Sequence, residues 1–142
     1  MSDVLAAFLF AQLEVWQSIQ AKRRHIWERY ALELSDWSNT NNVRLPVVPQ
    51  HCEQAYHMFY LLLPSPTARR ALIAHLAARG ILAVFHYLPL HLSKIGLQYG
   101  SRAGDHPVTE DISDRLLRLP FFCALTDAEQ TRVIEAVREF KP

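Results

Sequence analysis

Leu5, Leu9, Leu13, Trp16, Ile19, Ile26, Tyr30 and Leu34 recur at spacings of three, four or seven. That stripe predicts an amphipathic helix over residues 2–34, with Ser2 and Asp3 supplying N-cap chemistry. Val4, Phe8 and Val15 add a second strip, so the first half is apolar on more than one side. Such a helix would be about 50 Å long at 1.5 Å per residue. A domain of this size is under roughly 40 Å across. Unless it is broken, the helix overhangs its own domain, and an overhanging apolar surface needs a second subunit or another domain to cover it.

The pattern then shortens. Residues 35–50 read as a polar connection, extended near 43–48. The dense run 55–63, AYHMFYLLL, predicts a strand. Ser65 and Pro66 open a helix as N-cap and first helical residue. It runs to Arg79 and ends at Gly80. Residues 81–85 are apolar without alternation, as in a strand covered on both faces. Strand, helix, strand allows the two strands to be neighbours, parallel if the helix is a crossover. Residues 92–107 hold three of the four glycines and predict a loop. Thr109 is expected to cap a short helix to about 116. The run 117–123, broken by Pro120, suits an edge strand. Thr126 and Glu129 form a capping box that opens a last helix to Phe140.

Composition narrows the class. With 142 residues, half of them hydrophobic, the chain is long enough to bury a core as one globular domain. A net charge of +1 leaves no electrostatic footprint for nucleic acid or an acidic membrane. Cys52 and Cys123 lack metal-ligand spacing and fit free thiols in a reducing compartment; their spacing neither requires nor forbids a disulfide. No export signal is visible, and the apolar run 4–11 is far too short to span a bilayer. The expected setting is cytoplasmic.

Chemistry concentrates in residues 81–91, ILAVFHYLPLH, where an apolar run gives way to His86, Tyr87 and His91 around Pro89. Function is often placed where a rigid strand passes into a loop. A metal site would need a third ligand, for which only His57 stands out, and no recognised ligand motif is present; the expectation is no metal. His86 and His91 read as substrate-binding groups at a cleft, and His57 as a histidine hydrogen-bonded within its own domain. Neither a G-x-S-x-G elbow nor a phosphate-binding glycine motif occurs. Lys22-Arg23-Arg24-His25 reads as a solvated helix face. A Schiff-base lysine must sit desolvated in a pocket, and Lys22, Lys94 and Lys141 all lack that context.

Four stretches in order, MSDVLAAFLFAQLE, AYHMFYLLL, ARGILAVFHYLPLH and TEDISDRLLRLPFFCALTDAEQTRVIEAV, resemble the C-terminal portion of the DegT/DnrJ/StrS family. These are pyridoxal-phosphate-dependent sugar-nucleotide aminotransferases, and the nearest resemblance is to the WecE/RffA type, the dTDP-4-amino-4,6-dideoxygalactose transaminases. That type moves an amino group from glutamate to C4 of a dTDP-4-keto-6-deoxyhexose. The resemblance implies an α+β fold: the small C-terminal domain of the aspartate-aminotransferase fold, a long N-terminal helix plus a small sheet flanked by helices. Residues 1–34 would be the interdomain helix and 35–142 the small domain. The large domain would precede this region, carrying the aldimine lysine, the carboxylate for the pyridine nitrogen, the ring-stacking aromatic and the phosphate-binding turn. His86, Tyr87 and His91 would line the sugar-nucleotide site, with His57 behind them. No catalytic or cofactor-binding residue is expected in this chain, and alone it should bind no pyridoxal phosphate. Expected partners are the large domain, present or separately encoded, and a second copy through helix 2–34.

Overall fold

The computed structural model describes residues 2–142. The elements run α1 (Asp3–Glu14), α2 (Trp16–Glu33), α3 (Ser35–Thr40), β1 (Tyr60–Leu62), α4 (Pro66–Ala77), β2 (Val84–Phe85), α5 (Lys94–Gln98), α6 (Pro107–Arg115), β3 (Leu116–Arg118) and α7 (Asp127–Glu139). A 3-10 turn at Leu90–Leu92 leads into α5. The architecture is a small α+β unit, helix-rich around a three-stranded antiparallel sheet.

The long N-terminal helix is interrupted. Val15, at φ −115° and ψ 14°, ends α1 and starts α2. Its N–H reaches back to the Gln12 carbonyl at 3.3 Å, and its own carbonyl accepts from Ile19 at 3.1 Å, so helical bonding resumes at once. No residue of α1 is buried. Leu5, Phe8, Phe10 and Leu13 are all more than half exposed. The apolar strips seen in the sequence are therefore present and uncovered among the described residues. In contrast, α2 buries Ile26 and Tyr30, followed by Leu34 and by Trp37 of α3.

The strands differ from the sequence reading in extent and in order. The expected strand 55–63 pairs only over Tyr60–Leu62, and the expected strand 81–85 only over Val84–Phe85. Both lie against β3, which offers three residues. Tyr56, in the left-handed region at φ 46°, also breaks the extended run before β1. The order is β1-β3-β2, with both pairings antiparallel. β1 and β2 thus point the same way without being neighbours: the α4 crossover skips one position, and β3 fills it. The apolar piece 117–123, expected at an edge, contributes Leu117 and Arg118 to this central strand, which starts one residue earlier at Leu116, and Pro120 falls beyond the ladder, where its missing N–H costs nothing.

Other differences are local. Residues 35–50, expected as a connection, begin with α3 and then form an isolated bridge between Arg44 and Leu62. Residues 92–107 are not all loop, because Ser93 caps α5 by accepting from the Gly96 N–H at 3.1 Å. The next helix starts at Pro107, ahead of the expected Thr109 cap. The Ser65 cap, the Pro66 start and the Thr126–Glu129 box all form as the sequence predicts.

Leu61 and Leu117, opposite each other across β1 and β3, are fully buried. They join Leu72 and Leu76 of α4, Ile134 and Val137 of α7, and Tyr30 of α2 in one core. Two long-range hydrogen bonds lock α7 in place. Gln130 Nε2 donates to the Ile26 carbonyl at 2.7 Å, and Trp37 Nε1 donates to the Phe140 carbonyl at 2.9 Å. Tyr30 donates to the Pro120 carbonyl at 3.0 Å, and its burial pushes the phenol pKa well above the usual tyrosine value.

Candidate functional site

Tyr60, Arg118 and Val84 form one cross-strand row on the sheet face away from the Leu61–Leu117 core row. His86 and Tyr87 follow β2 directly and extend this wall. The His86 and Tyr87 rings meet edge to face at 5.3 Å. Arg118 lies over the Tyr87 ring, its guanidinium carbon 5.5 Å from the ring centre, and makes no ion pair among the described residues. Arg118 Nη2 donates to the Phe85 carbonyl at 3.4 Å. Arg118 Nε and His86 Nδ1 are buried without a protein partner. Burial, and secondarily the Arg118 charge, hold the His86 pKa below the ordinary histidine value. A neutral imidazole beside an unneutralised guanidinium and an aromatic ring that is 74% exposed can bind and orient polar groups from outside the chain.

His91 is placed differently. Its side chain is only 9% exposed, and Nε2 lies 2.9 Å from Glu110 Oε1. The same oxygen accepts from the Gly104 N–H at 2.8 Å. The His106 ring packs edge-on against His91 at 4.7 Å. The hydrogen bond from His91, then that from Gly104, hold the Glu110 carboxyl below the usual carboxylate range. An ionised Glu110 accepts, so His91 Nε2 carries the proton and donates.

His86 and Tyr87 are therefore brought together, His91 is nearby in the chain but turned into α6, and His57 is apart. The expectation that His57 adjoins the His86 strand, hydrogen-bonded in its own domain, is corrected. β3 separates the two strands, and His57 is exposed and without a side-chain hydrogen bond among the described residues. Among the described residues no group of three or more His, Cys, Asp and Glu side chains is arranged to hold a metal. Cys52 is a free, exposed thiol, and Cys123 a free, half-buried one. A surface hollow of about 690 Å³ lies between α2 and residues 48–56, lined by Arg24, Trp27 and Tyr56 among others; none of His86, Tyr87 and His91 reaches it.

Arg118 and Glu110 were not singled out in the sequence. For Arg118 the signal was a lone charge inside the apolar run LLRLP; for Glu110 it was an acid just inside a helix after a glycine-rich segment. All three lysines, Lys22, Lys94 and Lys141, are exposed. None offers the desolvated amine that covalent attachment of pyridoxal phosphate requires. The lysines of this chain do not fit covalent attachment of that cofactor.

Residues 1–138 match the DegT/DnrJ/EryC1/StrS aminotransferase family. A dTDP-3-amino-3,4,6-trideoxy-alpha-D-glucose transaminase of Micromonospora megalomicea subsp. nigra is 30% identical over 141 residues, covering 98% of this chain and 37% of the relative. The crystal structure of Streptomyces venezuelae DesV in complex with a ketimine intermediate superposes with a TM-score of 0.85 at 30% identity, over 94% of this chain and 35% of that one. The Streptococcus pneumoniae protein Spr1654, in its PLP-form, shares the fold with a TM-score of 0.87 at 23% identity, over 98% of this chain and 35% of that one. The chain spans little more than a third of the length of the curated relatives it matches. No helix among the described residues is long and apolar enough to cross a membrane.

Proposed function

Since this chain belongs to the DegT/DnrJ/EryC1/StrS aminotransferase family, we propose that it is the small-domain portion of a pyridoxal-phosphate-dependent sugar-nucleotide aminotransferase. The observation that carries the reading is the combination of a family match along nearly the whole chain with three exposed lysines. The chain has the family's fold, and none of its lysines has the desolvated setting that attachment of the cofactor needs. The cofactor, which supplies the electron sink for moving an amino group, would be held by the large domain. This chain would add the wall made of His86, Tyr87 and Arg118, which binds and orients the sugar nucleotide, with His91 fixing the loop behind it and His57 further out. Residues 1–34 would link the two domains, and residues 35–142 would form the small one.

The substrate we assign is a dTDP-4-keto-6-deoxyhexose with glutamate as donor, as in the dTDP-4-amino-4,6-dideoxygalactose transaminases. Support comes from the stretches HMFY, AVFHYLPLH and LLRLP, and from relatives named as transaminases of a dTDP-linked amino sugar. A cytoplasmic setting suits both nucleotide sugar and free thiols. The purified chain mixed with pyridoxal phosphate is expected to show no internal-aldimine absorbance and no borohydride-reducible adduct. A stable adduct at one lysine would overturn the reading.

A second reading is favoured by the uncovered α1: a non-enzymatic interaction module, or a subunit that completes a site with a separately made large domain, self-associating through α1 and α2 in the meantime. Sedimentation of the chain as a stable, soluble monomer with no need of a partner would count against it.

A further inference from the structure

We propose that Glu110 is the positioning residue that sets the cleft-facing wall, by tying His91 and the loop around it to α6. The inference rests on the reading of His86 and Tyr87 as that wall. Three observations meet at this carboxylate, and a fourth lies one turn along the same helix. His91 Nε2 donates to Oε1 at 2.9 Å from a side chain that is almost fully buried. The Gly104 N–H donates to the same oxygen at 2.8 Å, closing the segment between the two helices. α6 begins without a side-chain cap from His106, so Glu110, in its first turn, supplies the negative charge that the exposed N–H groups there favour. Ser113, one turn further along the same helix, donates from Oγ to the Tyr87 carbonyl at 3.2 Å. Residues three apart share a helix face, so α6 holds both ends of the segment 87–91.

The strut is itself anchored. Arg69 of α4 donates to the Ser113 carbonyl at 3.0 Å, and Arg115 donates to the Leu63 carbonyl at 3.1 Å. On the other side, Gly96 of α5 packs so tightly on the 3-10 turn that a Cβ there would lie 2.5 Å from the Leu90 carbonyl oxygen and 2.6 Å from that of His91. The turn is thus squeezed between α5 and α6, and the His91–Glu110 bond sets where it sits. His91 acts through the wall's placement, and Glu110 acts through His91.

Histidine-selective NMR and amide hydrogen exchange on the intact chain, wild type, E110A and E110Q, test this. A proton on an exposed imidazole exchanges too fast to be seen; the His91 Nε2 proton should give a slowly exchanging resonance in the wild type. E110A should lose it and raise exchange of the amides between 87 and 106 about tenfold, with α2, α4 and α7 still protected. E110Q keeps an acceptor for both donors and should restore most of the protection and the resonance. The proposal is overturned if the wild type lacks the resonance. It is equally overturned if E110A leaves the 87–106 amides unchanged, or if E110A and E110Q both lower protection evenly over the whole chain. Because no cofactor or sugar enters the measurement, it can fail while the aminotransferase reading stands, and the reverse.

Discussion

Arg118 places an unpaired positive charge beside His86, and two separable causes act on that imidazole. Burial disfavours the charged ring, and Arg118 repels the added proton. R118M removes the second cause and leaves the first. The His86 pKa should therefore rise toward the ordinary histidine value without reaching it, in an NMR titration of the ring carbon-bound protons. An unchanged or lower value would show that the guanidinium does not act on His86. At this scale the sequence was informative where chemistry is local. His86 and Tyr87 stood out because polar rings follow an apolar run. Glu110 and Arg118 did not, since their roles come from contacts across 19 and 33 positions that no spacing pattern announces.

Helices were legible wherever a cap and a periodic face agree, as at Ser65-Pro66 and Thr126–Glu129. Strands were legible as apolar runs, but their paired length was not, because a ladder can be no longer than its shortest partner and β3 has three residues. The order β1-β3-β2 was hidden for a related reason: the rule that sequential strands adjoin is overridden once a later segment pairs with both. α1 is the element whose sequence and structure agree on an excess of apolar surface. Since no residue of α1 is buried, F8E should leave the unfolding free energy of the chain, measured in urea, within about 0.5 kcal/mol of wild type. If α1 mediates self-association, the same change should abolish it in sedimentation. A large loss of stability would show instead that α1 folds back onto the core.

At the scale of the whole molecule, three carboxylates among the described residues share one sign of perturbation. Hydrogen bonds from His91 and Gly104 lower Glu110, the Arg115 side chain lowers Asp111, and the Thr126 cap lowers Glu129. Each folded value lies below its unfolded one, so the unfolded state binds more protons between the two. Stability from these groups is complete above the unfolded carboxylate range, at about pH 4, and is lost as pH falls through the lowered folded values. The urea midpoint should begin to decline below about pH 6.5, where the unfolded chain protonates His86 more readily than the folded one, and decline again below about pH 5 as the carboxylates titrate; a midpoint that rises on acidification would contradict this.

The position of β3 also has a bearing on how the chain acquires its shape. The central strand of the sheet is the last to appear in sequence, at Leu116–Arg118. Until it arrives, β1 and β2 have no common partner, and the His86–Tyr87 wall has no strand to hang from. Loop closure over tens of residues must precede the contacts that reward it. α7, which follows β3, then closes the core through Gln130 and through the carbonyl of Phe140. During synthesis, therefore, the His86–Tyr87 wall gains its strand only once Leu116–Arg118 has emerged, and a nascent chain ending before Leu116 presents helices without a sheet.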